Sequence, residues 1–226
     1  KILSHTEQAT RARIASWNDG VYRHVVFTDS TGLYDALARV YLTVRKRGDQ
    51  LVFDFTGTSP ENEGSYNAFL HIIRAAAANY FYQYTFHDFP LSSGLYAPME
   101  FIAPQGCMLN AGADAAICNS PIVLRGIWQP LCVTFSKMMF DSPLRHLCGG
   151  YASAAGSSGM QSGVNQWGVR QTDVLGYPLN AAGGGARYDM DGVDNCGFPW
   201  APSGKGPDVE DCENEQPHLH LFQRRL

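Results

Sequence analysis

The stretch Arg39-Val40-Tyr41-Leu42-Thr43-Val44-Arg45 sets Val40, Leu42 and Val44 on one side and polar or amphipathic residues on the other. Alternation with period two marks a strand that buries one face and exposes the other. Such a strand needs neighbours for its hydrogen bonds and a second layer over its apolar face. Val21 to Phe27 is a second strand-like run. Arg47-Gly48-Asp49-Gln50 is a hairpin loop leading into Leu51-Val52-Phe53-Asp54-Phe55. Residues 3–16 carry apolar points at Ala9, Ile14 and Ala15 and end at the turn signal Asn18-Asp19-Gly20, as a helix would. Residues 1–60 are therefore expected to form a helix plus a small antiparallel sheet.

A helix is expected from Asn67 to Tyr84, where Leu70, Ile73, Ala77 and Tyr80 share one face. Leu91 to Gly94 reads as a turn. Met99 to Ala103 is a short strand stopped by Pro104-Gln105-Gly106. A further helix is expected over residues 122–140, with Pro130 kinking or breaking it. From Cys148 to Gly168 glycine and serine interleave, which suits either a flexible linker or a tightly packed loop lined by backbone. Residues 189–215 hold eight acids and one base, Lys205, and read as a solvated irregular loop. The expected class is α+β, with mixed antiparallel sheets and packed helices. The expected division is 1–60 and 61–226, the latter a glycine-rich α+β part.

Charge narrows the function. The 226 residues include 17 basic and 21 acidic side chains, net −4, which leaves no basic footprint for nucleic acid. Charged residues are 17% of the chain, below the roughly 25% usual in soluble proteins, while the 45% hydrophobic fraction is ample for a core. Residues 64–172 contain only four acids and five bases. That is too few for a freely solvated surface, so this region is expected to be covered by the rest of its chain or by a partner. No run of about 18 apolar residues predicts a membrane span, and the first residues do not resemble a signal peptide. The chain reads as an internal segment of a larger subunit. None of the six cysteines lies within four residues of another, so zinc-knuckle spacing is absent. Cys118 and Cys132 have apolar sequence neighbours, as buried reduced thiols do. A cytoplasmic compartment is expected.

Common reaction signatures are missing. There is no Gly-x-Ser-x-Gly, and neither Gly57-Thr58 nor Gly183-Gly184-Gly185 is followed by the Lys-Ser/Thr of a phosphate loop. His218 and His220 share one face of a strand and would need Asp211 or Glu213 to complete a metal site; two exposed edge histidines are the plainer reading. Asp189-x-Asp191-Gly192-x-Asp194 resembles half a calcium loop, but the closing twelfth position is Trp200, which favours a turn. His87-Asp88 reads as a helix cap. The candidate site residues are neutral amides: Asn67 at the expected helix start, and Asn165 and Gln166 after the Gly/Ser stretch. Amides hydrogen-bond carboxylates, ureas and oxyanions without adding charge. At a helix start, free N–H groups would assist in holding an anion. Their plainer roles are capping and loop bonding.

Five pieces follow in order along the chain: Asp19-Gly20-Val21-Tyr22, Asp54-Phe55-Thr56-Gly57-Thr58-Ser59, Gly64-Ser65-Tyr66-Asn67, Pro104-Gln105-Gly106 with Asn110, and Gly183 to Arg187 with Asp191-Gly192. In this order they resemble the hydantoinase B/oxoprolinase family, whose members include subunits of ATP-dependent hydantoinases, 5-oxoprolinases and acetone and acetophenone carboxylases. The first two are similar to the family's strand entry and next strand, and the last two to its turn and glycine-rich stretch. The resemblance implies an ATP-dependent heteromeric enzyme. ATP would be bound by a hydantoinase A-type, actin-like ATPase subunit. A divalent metal, Mn or Zn, would lie outside this segment, and a small third subunit would mark a carboxylase. Ser162 to Gln166 looks like the acetone carboxylases, and Gly183 to Asp191 like the hydantoinases and oxoprolinases. The expected reaction is ketone carboxylation, joining bicarbonate to an activated enolate. The alternatives are ATP-dependent hydrolysis of a cyclic amide and a non-catalytic scaffold role.

Overall fold

The computed structural model describes residues 1–118, 120–150, 159–164, 167–175, 185–192, 197–198 and 201–202. The chain divides into two compact units: Lys1–Tyr151 with Ala186–Asp191, and Ala152–Gly185 with Gly192–Leu226.

In the first unit, α1 (Ile2–Ala15) precedes β1 (Gly20–Ser30), β2 (Asp35–Arg47) and β3 (Gln50–Asp54). Then come α2 (Leu70–Tyr84), β4 (Met99–Ile102) and α3 (Ser120–Met139). The four strands form one sheet in the order β1-β2-β3-β4. The first two pairings are antiparallel, and β3 pairs with β4 in parallel, so the sheet is mixed. A parallel neighbour needs a crossover, and α2 supplies it. The α+β expectation holds.

The alternation read in β2 sets the layers. Val40, Leu42 and Val44 are buried on the inner face, with Val26 of β1 and Leu51 and Phe53 of β3. Lys46 continues the same face and is also buried. An ammonium there requires an acceptor, and Asp19 provides one at 2.7 Å while also accepting the Gly48 N–H. Aromatic side chains from several elements close the core. Phe135 of α3 lies 5.5 Å from Trp17, 5.0 Å from Phe81 and 5.3 Å from Tyr80, centroid to centroid. Phe53 stacks on Phe101 of β4 at 4.8 Å.

Two helix expectations change. α2 starts at Leu70, capped by Phe69 in extended conformation, so Asn67 does not open it. α3 continues through Pro130 as one helix, so of the two outcomes offered for Pro130 the break does not occur. The proline's missing N–H leaves its own position without an i−4 bond, and burial of the helix on both sides of Pro130 outweighs that loss. Cys118, expected buried, is exposed, whereas Cys132 is buried as expected. Burial pushes the Cys132 thiol up to about 12.

In the second unit, β5 (Gly159–Val164) and β6 (Arg170–Leu175) pair antiparallel, so part of the Gly/Ser stretch is a hairpin strand. β7 (Gly197–Phe198) and β8 (Ala201–Pro202) form a second short pair.

Candidate functional site

The candidate amide Asn67 sits in a double loop formed by residues 55–69 and 103–118. The first loop begins where β3 ends. The Asp54 carboxylate accepts the Thr56 N–H, and Gly57 turns the chain at φ +99, a conformation glycine adopts without Cβ strain. Thr58 and Ser59 then bind the loop back onto β2. The Thr58 Oγ1 accepts the Tyr41 N–H at 3.1 Å, and Ser59 Oγ accepts that of Arg39 at 3.0 Å. The Ser59 N–H donates to the Arg39 carbonyl. These hydroxyls take the place of a backbone ladder that β3 no longer provides.

Asp54 also has a partner on β2. Burial raises its pKa, but the Thr56 donors and Arg45, at 2.8 Å, outweigh that and hold the carboxyl below the usual aspartate range. The second loop turns at Gly106, φ +80, where Asn110 Nδ2 donates to the Ala103 carbonyl at 2.9 Å. The two loops are joined by Glu61: its N–H donates to Gly106 O, and its carboxylate accepts the Gly112 N–H at 2.6 Å.

Asn67 lies at the centre and is fully buried. Its Nδ2 donates to the carbonyls of Asn62, Gly64 and Ala116 at 2.9–3.0 Å. Its Oδ1 accepts the Asn62 N–H at 3.0 Å and the Asn62 amide at 3.1 Å. Both N–H bonds of the amide are thus committed to protein carbonyls in this conformation. Asn165 and Gln166, with His218, His220, Asp211 and Glu213, lie outside the described residues. Tyr66 ties the same loop to the β1–β2 connection through its N–H to Thr31 O. A Cβ at Gly64 would collide with that same carbonyl, which explains the glycine.

Sequence reasoning missed Glu61, Asn62 and the Lys46–Asp19 pair. For Lys46 a signal was present: it continues the Val40-Leu42-Val44 face, where a charge demands a partner. Nothing in the local sequence of Glu61 or Asn62 marks them, because their partners are 51 and five residues away.

Among the described residues no group of three or more His, Cys, Asp or Glu side chains is placed to hold a metal ion. An apolar pocket of about 40 Å³ lies between β1 and α3, lined by Val26, Val40, Met108, Val123 and Gly126. It has room for about three water-sized groups.

The mixed sheet, its crossover helix and the motif-bearing double loop are those of a known class. The chain belongs to the hydantoinase B/oxoprolinase family, whose pattern it matches over residues 1–224. It is 36% identical over 220 residues to the acetophenone carboxylase delta subunit of Aromatoleum aromaticum, covering 97% of this chain and 32% of that protein. It is 25% identical over 234 aligned positions to a putative D-/L-hydantoinase subunit of a Pseudomonas species, covering 96% of this chain and 37% of that one. The fold matches nucleotide-free acetone carboxylase with a TM-score of 0.83 at 23% identity, over 94% of this chain and 30% of that one. The chain thus spans about a third of the length of these relatives.

Proposed function

We propose that this chain is part of a hydantoinase B-type subunit of an ATP-dependent ketone carboxylase, which joins bicarbonate to an activated enolate. The observation that carries this reading is the 36% identity to an acetophenone carboxylase subunit, against 25% to a hydantoinase subunit over a similar span. In this reading ATP is held by a hydantoinase A-type, actin-like ATPase subunit, which activates the substrates by phosphorylation. A small third subunit completes the complex. The described residues supply no donor set for the divalent metal that the family resemblance implies, so no step is assigned to it.

What this chain contributes is enclosure and neutral hydrogen bonding. A phosphorylated intermediate must react with its acceptor before water does, which requires a closed site between subunits. Residues 64–172, with four acids and five bases, are suited to such a buried position. Asn165 and Gln166 are the amides proposed to face the developing oxyanion. Asn67, its amide engaged in five hydrogen bonds, would act as a positioning residue that holds the double loop.

A scaffold reading is favoured by one observation. The motif side chains Asp19, Thr58, Ser59, Asn67 and Asn110 all bond within the fold. Isolation of the native complex tests the proposal: an ATPase subunit and a small third subunit are expected to co-purify. A complex containing only the ATPase partner would point instead to an amide hydrolase.

A further inference from the structure

β1 is an 11-residue strand at the edge of its sheet, and among the described residues no strand pairs with its outer side. Antiparallel pairing alternates the direction of backbone groups, so half of the β1 residues point their N–H and C=O away from β2. Arg47 pairs with Gln50 across a two-residue loop, so the odd-numbered residues of β2 bond toward β3. Arg23, whose partner is Thr43, therefore points its backbone groups outward, and its carbonyl accepts from Lys137 Nζ at 3.0 Å. Val21, Val25 and Phe27 follow in the same phase. A long open edge of this kind is a template for another strand.

The side chains specify which strand. Arg23, Phe27 and Asp29 are exposed; Phe27 is 60% exposed. Neither Arg23 nor Asp29 is in an ion pair among the described residues. They lie three residues either side of Val26. If a second β1 runs antiparallel along the first with a two-fold axis at Val26, Arg23 stands opposite Asp29 of the second copy, and Asp29 opposite its Arg23. Val25 stands opposite Phe27 of the second copy, twice over. Opposite charges and aromatic–aliphatic neighbours are the favourable cross-strand pairs. The apolar pocket lies beside this axis, with Val26 in its wall, so the two Val26 side chains meet on its side of the sheet.

We propose that β1 is a self-association edge, and that two copies of this chain join β1 to β1 in this register into one continuous eight-stranded sheet. The interface is isologous, as a two-fold axis requires. Lys137 guards the edge in the free chain by holding the Arg23 carbonyl, and it releases that carbonyl when the second strand arrives. Pairing of the two edges does not depend on the reaction proposed above.

Sedimentation velocity of the full chain across a concentration series tests it. The wild type is expected to dimerise. Arg23→Asp and Asp29→Arg each place like charges opposite each other twice and should weaken the dimer at least tenfold, and the double exchange R23D/D29R should restore it. Lys137→Ala should tighten it severalfold. Val25→Pro removes an outward N–H and is tolerated on a free edge, so the chain should keep its melting transition while losing the dimer. If Val25→Pro unfolds the chain, the charge exchange decides alone. A monomer at all concentrations, or a dimer indifferent to the charge reversals, overturns the proposal.

Discussion

Asn67 shows what a motif residue does when its role is read from its bonds. Asn67→Asp replaces the Nδ2 donor with a carboxylate oxygen facing three carbonyls, those of Asn62, Gly64 and Ala116. An N-terminal helix cap would tolerate that change, because Asp caps as well as Asn. Here the expected loss is about 3 kcal/mol or more, measured as a shift in urea midpoint, with Asn67→Ala close behind. A second expectation concerns pH. The hydrogen bond from Lys46 is the main cause holding the Asp19 carboxyl below its usual 3.8. A depressed carboxyl stabilises the fold above its unfolded pKa and loses that contribution as pH falls through the folded value. Stability should therefore drop below about pH 4, and Asp19→Asn should flatten part of that drop in denaturation curves recorded from about pH 6 to pH 2. Asp54, also depressed, supplies a further part.

At the scale of elements, legibility followed the range of the interactions. The β1–β3 meander was readable because alternation and a Gly-containing hairpin are local. The start of α2 was not, because residues 67–69, expected to open the helix, are held in a loop in which Asn67 bonds a carbonyl 49 residues away. The course of α3 through Pro130 was hidden for a similar reason: burial on both sides decided it, not propensity. The site followed the same rule. The motifs marked the double loop, but the sequence did not reveal that Asn67 spends its hydrogen bonds on that loop. Close approach of elements is testable at Gly94, in a short 3-10 turn (Ser93–Tyr96) packed against α1. A Cβ there would collide with the Leu3 carbonyl. Gly94→Ala is expected to lower the melting temperature by several degrees, on the order of 1–3 kcal/mol, by pushing α1 outward. In the core, Phe135→Ala should cost about 3–5 kcal/mol, since that ring meets Trp17, Phe53 and the Tyr80–Phe81 pair of α2.

At the scale of the molecule, low charge and exposed apolar side chains belong together. Leu37 is 75% exposed, and Leu91, within the charge-poor region that the sequence singled out, is 78% exposed. Exposed apolar surfaces of this kind are suited to packing against further protein. Whether the proposed complex carboxylates a ketone is decided by isotope transfer. The purified complex is supplied with ATP, a ketone and isotopically labelled bicarbonate, and label is followed into acid-labile β-keto acid. Label incorporation that depends on both ATP and ketone is the predicted result. ATP-dependent opening of a hydantoin, lactam or oxoproline ring, with no label fixed from any ketone, would contradict it.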